Sequence, residues 1–131
     1  MVIDTSAIFA AIAREPDGAI YRLAIAGAPI RLISAVALLE TRIVLRSRLG
    51  LAAIATFNEL IELAEIVVVP FDREQSDTAF EAFNRFGKGQ GHPAQLNIVD
   101  CASYALAHSR DLPLLFKGND FSQTDIKSAL S

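Results

Sequence analysis

Ile66-Val67-Val68-Val69-Pro70 is the stretch that decides the fold class. Four consecutive β-branched residues favour an extended backbone, and the proline ends it. No polar residue alternates with them, so neither face is marked for solvent. Such a run predicts a strand buried on both faces, the setting of a parallel sheet covered by helices. The flanks agree. Leu51 to Glu65 carries Phe57, Leu60, Ile61 and Ala64 at helical spacing, and Arg73 to Phe86 carries Phe80, Phe83 and Phe86.

The same alternation continues outward from this strand. Met1 to Ile3 is a short apolar run that stops at Asp4 and reads as the first strand. A helix over Thr5 to Ala13 follows, with Asp4, Thr5 or Ser6 able to cap it. Pro16 stands where a second helix begins, with Tyr21, Leu23 and Ile25 inside it; Gly27 and Pro29 then mark a turn. Ile30 to Ile33 reads as the second strand. Ser34 caps a helix running to about Arg48, whose apolar face is expected to be Val36, Leu39, Ile43 and Val44. Gly50 ends or bends that helix. Residues 87–93 read Gly-Lys-Gly-Gln-Gly-His-Pro, a loop. Asn97 to Ser109 is helical, Leu114 to Phe116 is a fourth strand, and a short last helix is expected from about Thr124. Strands and helices in turn predict an α/β fold with a mostly parallel sheet, in one domain over residues 1–131.

The totals exclude several function classes. With 131 residues, 52% of them apolar and 21% charged, the chain can bury a core and is not a disordered tether. No apolar run approaches the roughly 18 residues of a membrane span, and the start lacks the basic residues of a secretory signal. Cytoplasm is the default expectation. Cys101 is the only cysteine, which excludes an internal disulfide and a multi-cysteine zinc site. The net charge of −3 gives no global attraction for nucleic acid, so RNA chemistry here needs local cations or bound metal.

In open parallel sheets, sites form beyond the carboxyl ends of the strands, where the strand order reverses. Asp4 directly follows strand one, and Asp120 follows strand four by a short turn. Glu40 lies two turns into the helix after strand two. Asp100 opens the helix near Asn97, behind the glycine loop rather than behind a strand, among Ile98, Val99, Cys101 and Ala102. Carboxylates suit hard cations such as magnesium and manganese, which activate water and bind phosphate oxygens. Crowded acids repel one another until a cation relieves them. Each acid also has a plainer reading. Asp4 caps the first helix, Glu40 is a solvated helix residue, and Asp120 is a turn former. Asp100 is harder to explain away, because burying an unpaired carboxylate among apolar neighbours is costly.

Four stretches together resemble the PIN-domain ribonuclease toxins of VapBC toxin–antitoxin systems: residues 1–8 (Met-Val-Ile-Asp-Thr-Ser-Ala-Ile), 33–40 (Ile-Ser-Ala-Val-Ala-Leu-Leu-Glu), 91–101 (Gly-His-Pro-Ala-Gln-Leu-Asn-Ile-Val-Asp-Cys) and 114–121 (Leu-Leu-Phe-Lys-Gly-Asn-Asp-Phe). They come in the family's order across nearly the whole chain. The resemblance implies a PIN-like three-layer α/β/α sandwich and RNA cleavage dependent on magnesium or manganese. It implies that Asp4 and Asp100 hold the principal metal, that Glu40 completes the site, and that Asp120 supports it. Thr5 and Ser6 fill the hydroxyl positions beside the first acid, and Asp125 is a fifth candidate. It further implies hydrolysis to 5′-phosphate and 3′-hydroxyl ends, a homodimer, and a VapB-like antitoxin that can place an arginine among the acids.

Other residues carry less. Lys88, Arg42, Arg46, Arg48 and Lys117 are possible phosphate contacts, with solvated surface charge as the plainer reading. His92 reads as a loop hydrogen-bonder, Cys101 as a small core residue, and the Phe80, Phe83 and Phe86 stripe as core or dimer contact. Two other functions compete. A magnesium-dependent receiver or phosphatase needs a second acid beside the nucleophile, whereas Thr5-Ser6 follows Asp4. An interaction module would use the acids only to bind a basic peptide.

Overall fold

Side-chain alternation along the short strands divides the core in two. In the computed structural model, which describes residues 1–130, the strands are β1 (Val2–Ile3), β2 (Leu32–Ser34), β3 (Val67–Val69) and β4 (Leu114–Leu115). Ile3, Ile33 and Leu115 point to one side of the sheet and pack with α1 (Thr5–Ile12), α2 (Gly18–Gly27), α3 (Ala35–Leu49) and α4 (Leu51–Leu63). Val2, Leu32 and Leu114 point to the other side and pack with α5 (Arg73–Phe86) and α6 (Ile98–Arg110). The period of two thus builds three layers, the α/β/α sandwich expected. Ser131, the last residue of the expected domain, lies outside the described residues.

All pairings are parallel, and the order is β3-β2-β1-β4. The chain moves outward from β1 to β2 and β3, then returns to place β4 on the other side of β1. The order therefore reverses between β1 and β4, and a cleft opens at their carboxyl ends. Asp4 ends the first of these strands, and its backbone N–H donates to Leu115 O at 2.9 Å.

Three expectations are corrected. The strand at Val67–Val69 is an edge strand rather than a doubly buried one: Val67 is 56% and Val68 37% exposed, and Ile66 just before it is buried. Its β-branched residues set the extended backbone, but burial follows position in the sheet, and β3 has a neighbour on one side only. Helix α3 turns a different face inward. Ala37, Thr41 and Leu45 are buried, whereas Leu39 and Ile43 are 61% and 55% exposed. Apolar residues surround this helix, and small Ala37 allows a close approach that the larger side chains do not. The buried Thr41 hydroxyl is satisfied by Ala37 O at 2.6 Å and Thr5 Oγ1 at 3.0 Å. Finally, no helix starts at Thr124. A 3₁₀ turn covers Phe121–Gln123, and Thr124 terminates it with its hydroxyl donating to Phe121 O.

Gly50 separates α3 from α4 at φ 91°, a backbone region that favours glycine, so the two helices break there instead of merging. No helix among the described residues is long and apolar enough to cross a membrane.

Candidate active site

Asp4 caps α1 with one of its two oxygens. As N-cap of α1, its Oδ2 accepts from Ser6 N at 3.0 Å and from Ser6 Oγ at 2.7 Å. Ser6 Oγ in turn accepts from Lys117 N at 2.9 Å, which ties the carboxylate to the segment after β4. Oδ1 is buried and has no partner of ordinary hydrogen-bond geometry; the same holds for the Ser103 hydroxyl, which stands close enough to lower the Asp4 pKa. Burial is the largest influence on Asp4 and raises its pKa; the Ser6 hydrogen bonds oppose it. The capping reading and the ligand reading thus apply to different atoms of one side chain. The orphaned oxygen is the atom a hard cation would use.

Asp100 sits in the first turn of α6. It forms a capping box with Asn97: Asn97 N donates to Asp100 Oδ2 at 3.1 Å, and Asp100 N donates to Asn97 Oδ1 at 2.9 Å. The box fixes the carboxylate at the cleft, while Ile98 beside it is 78% exposed. Burial pushes the Asp100 pKa up to about 7; the Asn97 backbone bond pulls it down, and the charges of Asp4, Asp120 and Glu40 raise it further. Glu40 on α3 is also raised, first by burial and then by Asp4, with the neighbouring Thr5 hydroxyl opposing.

Asp4, Thr5, Ser6, Glu40 and Asp100 line one open cleft of about 330 Å³, with Phe9, Glu15, Val44, Arg48 and Lys117. Asp120 does not line it. It is exposed after β4, and its charge reaches Asp100. Among the described residues, no three His, Cys, Asp or Glu side chains stand close enough to chelate an ion unaided.

Asp125 is placed elsewhere. Its Oδ1 accepts from Tyr104 Oη at 2.5 Å, and Arg85 lies 3.4 Å from Oδ2. The tyrosine bond chiefly holds the Asp125 pKa down, while burial pushes Tyr104 up to about 12. This network ties the C-terminal segment to α5 and α6. Tyr104→Phe is expected to lower stability by about 1 kcal/mol in urea unfolding.

The minor candidates also separate. His92 Nδ1 accepts from Ala94 N at 3.0 Å, and its ring meets Phe86 edge-on, so it is a loop hydrogen-bonder. Cys101 is buried, and burial pushes its thiol up to about 11, away from nucleophilic use. Phe86 is buried, whereas Phe80 is 65% exposed. Arg42 donates to Asn58 away from the cleft. Sequence reasoning missed Ser103, which is fully buried and lowers the Asp4 pKa. Its position one turn after Asp100 on α6 was the available signal.

A parallel sheet in this order between two helical layers, with acids at its carboxyl edge, is a three-layer α/β/α domain with its cleft at the switch point. The family model described as "PIN domain" matches residues 1–127, and the chain belongs to that family. Within the family its relatives are VapC ribonucleases. It is 48% identical to Ribonuclease VapC28 of Mycobacterium tuberculosis over 130 residues, covering 99% of this chain and 98% of the relative. It is 44% identical to Ribonuclease VapC of Mycolicibacterium smegmatis over 126 residues, 96% of this chain and 97% of the relative. The fold matches the crystal structure of Mycobacterium tuberculosis VapC20, described as a sarcin-ricin loop cleaving toxin, with a TM-score of 0.75 at 24% identity, covering 95% of both chains.

Proposed function

We propose that this chain is a metal-dependent endoribonuclease and the toxin of a type II toxin–antitoxin pair. The observation that carries the reading is that Asp4, Glu40 and Asp100, three carboxylates with raised pKa values, line one cleft at the carboxyl edge of the sheet. Like-charged, partly buried carboxylates with raised pKa values are a site prepared for a cation. Asp4 and Asp100 would hold magnesium or manganese, and Glu40 would complete the site directly or through water. Magnesium suits acids spaced too widely to chelate alone, because it keeps several of its waters and takes only one or two carboxylates directly. When bound, the ion lowers the pKa of water and offsets phosphate charge.

The chain's own groups do the rest. Ser6 and the Lys117 backbone hold Asp4 in one orientation. The Asn97 capping box does the same for Asp100. Asp120, exposed after β4 and near enough for its charge to reach Asp100, is the acid left to position water; the proton that water gives up leaves to solvent, and O3′ takes one from solvent. Water oxygen joins phosphorus, and the P–O3′ bond breaks, leaving 5′-phosphate and 3′-hydroxyl ends. The 2′-hydroxyl takes no part, so preference for RNA rests on shape and fit. The partners in this reading are RNA as substrate, a VapB-like antitoxin and a second copy of the chain.

A cation titration against a panel of end-labelled transfer, ribosomal and messenger RNAs tests the reading. Antitoxin-free protein is expected to cut at least one RNA with added magnesium or manganese, to stop in EDTA, and to leave 5′-phosphate ends. Folded protein that cuts none of the panel with either ion would leave the interaction module as the better account.

A further inference from the structure

Two cations line the acid cleft, and they differ in what already neutralises them. Lys117 Nζ pairs with Glu15 and lies 3.0 Å from Asp17 Oδ1, so its charge is matched twice. Among the described residues no acid pairs with Arg48. Its guanidinium carbon lies instead 4.4 Å from the centroid of the Phe9 ring. That contact steadies the guanidinium plane and leaves its N–H donors unspent.

Helix α3 sets the placement. Glu40, Val44 and Arg48 recur at four-residue intervals, which puts them on one face, and all three line the cleft. Eight residues of helix separate Arg48 from Glu40 by about 12 Å. That rise between the two helix positions roots the Arg48 side chain at the far end of the cleft from Glu40, beside the path of a neighbouring phosphate of the same strand. A chain of net charge −3 must supply such an attraction locally. Guanidinium is suited to the task, since it offers paired donors to phosphate oxygens while stacked on an aromatic ring.

We propose that Arg48, braced on Phe9, anchors a phosphate flanking the scissile bond of the RNA strand; this rests on the ribonuclease reading of the same cleft. The test uses Arg48→Ala and Arg48→Lys in the full chain. Binding of a fluorescein-labelled mixed-sequence oligoribonucleotide is measured by anisotropy across a potassium chloride series, in an Asp100→Asn background that does not cut. Steady-state cleavage is measured in the otherwise native chain on an RNA that the wild type cuts. Arg48→Ala is expected to weaken binding about tenfold and to flatten the log–log salt slope by about 0.7. KM should rise by a similar factor, with kcat within about twofold of wild type. Arg48→Lys should keep the salt slope and recover part of the affinity. A merely structural role for Arg48 would leave the slope unchanged.

Affinity and slope that ignore Arg48→Ala, or no RNA binding at all, overturn the proposal. So does a loss confined to kcat. Failure of the ribonuclease reading is distinguishable, because it appears as uncut RNA with wild-type protein while the binding arm still reports on Arg48.

Discussion

Asp100→Asn is expected to reduce RNA cleavage by about a thousandfold or more while the protein stays folded. The substitution keeps an oxygen that can accept from Asn97 N, so the capping box that starts α6 survives. It removes the negative charge that attracts a cation. Asp4→Asn should fall as far, because its side-chain oxygen can still cap α1 through Ser6 but no longer carries charge into the cleft. Asp120→Asn should cost less, about tenfold, since Asp120 is exposed and stands outside the cleft lining. Single-turnover rates with circular dichroism and unfolding midpoints for each variant check the series. Equal, small losses at Asp4 and Asp100 would place the chemistry elsewhere.

Without metal, the same Asp100 charge is expected to destabilise the fold at neutral pH. Burial and neighbouring acids hold its folded pKa near 7, above the ordinary value of 3.8. Between those values the folded chain keeps a proton that the unfolded chain has released. The contribution to stability is therefore full below the unfolded value, declines as pH rises towards about 7, and is lost above it. Asp100 is partly exposed, and solvent screening leaves an expected difference of about 1–2 kcal/mol. Urea unfolding in EDTA should show wild type losing that much relative to Asp100→Asn between about pH 4 and pH 8. Magnesium should restore wild type at pH 8 by binding the folded state, with no matching gain in Asp100→Asn. Parallel pH profiles for the two proteins would show that Asp100 is not strained by its surroundings.

The fold class was legible in the sequence because strands and helices alternate and each short strand is apolar. Position within the sheet was not. Val67 and Val68 carry the composition of a central strand yet lie at the edge, since no local signal states which strands neighbour which. The inward face of α3 was misread for a related reason: Leu39 and Ile43 outrank Ala37 and Thr41 in hydrophobicity, but close packing selected the small pair. Among the site residues, Asp4 and Asp100 were legible as acids at element ends and Glu40 as an acid two turns into α3, and the three do share a cleft. Asp125 was not separable from them by sequence, because its partner Tyr104 lies 21 residues away on another element. The difference between the Asp4 oxygens, one bonded to Ser6 and the other buried without a well-placed partner, belongs to the folded geometry alone.

Calorimetric titration of the antitoxin-free protein with manganese near pH 7, repeated in buffers of different ionisation enthalpy, tests the central claim most directly. The predicted result is saturable binding that releases about half a proton or more, because Asp100 is half protonated there and a ligand carboxylate must be ionised. The proton release should fall as pH rises above about 7, and binding should be lost in both Asp4→Asn and Asp100→Asn. No binding by wild type, or binding that both variants retain, would contradict the assignment of these carboxylates as a cation site.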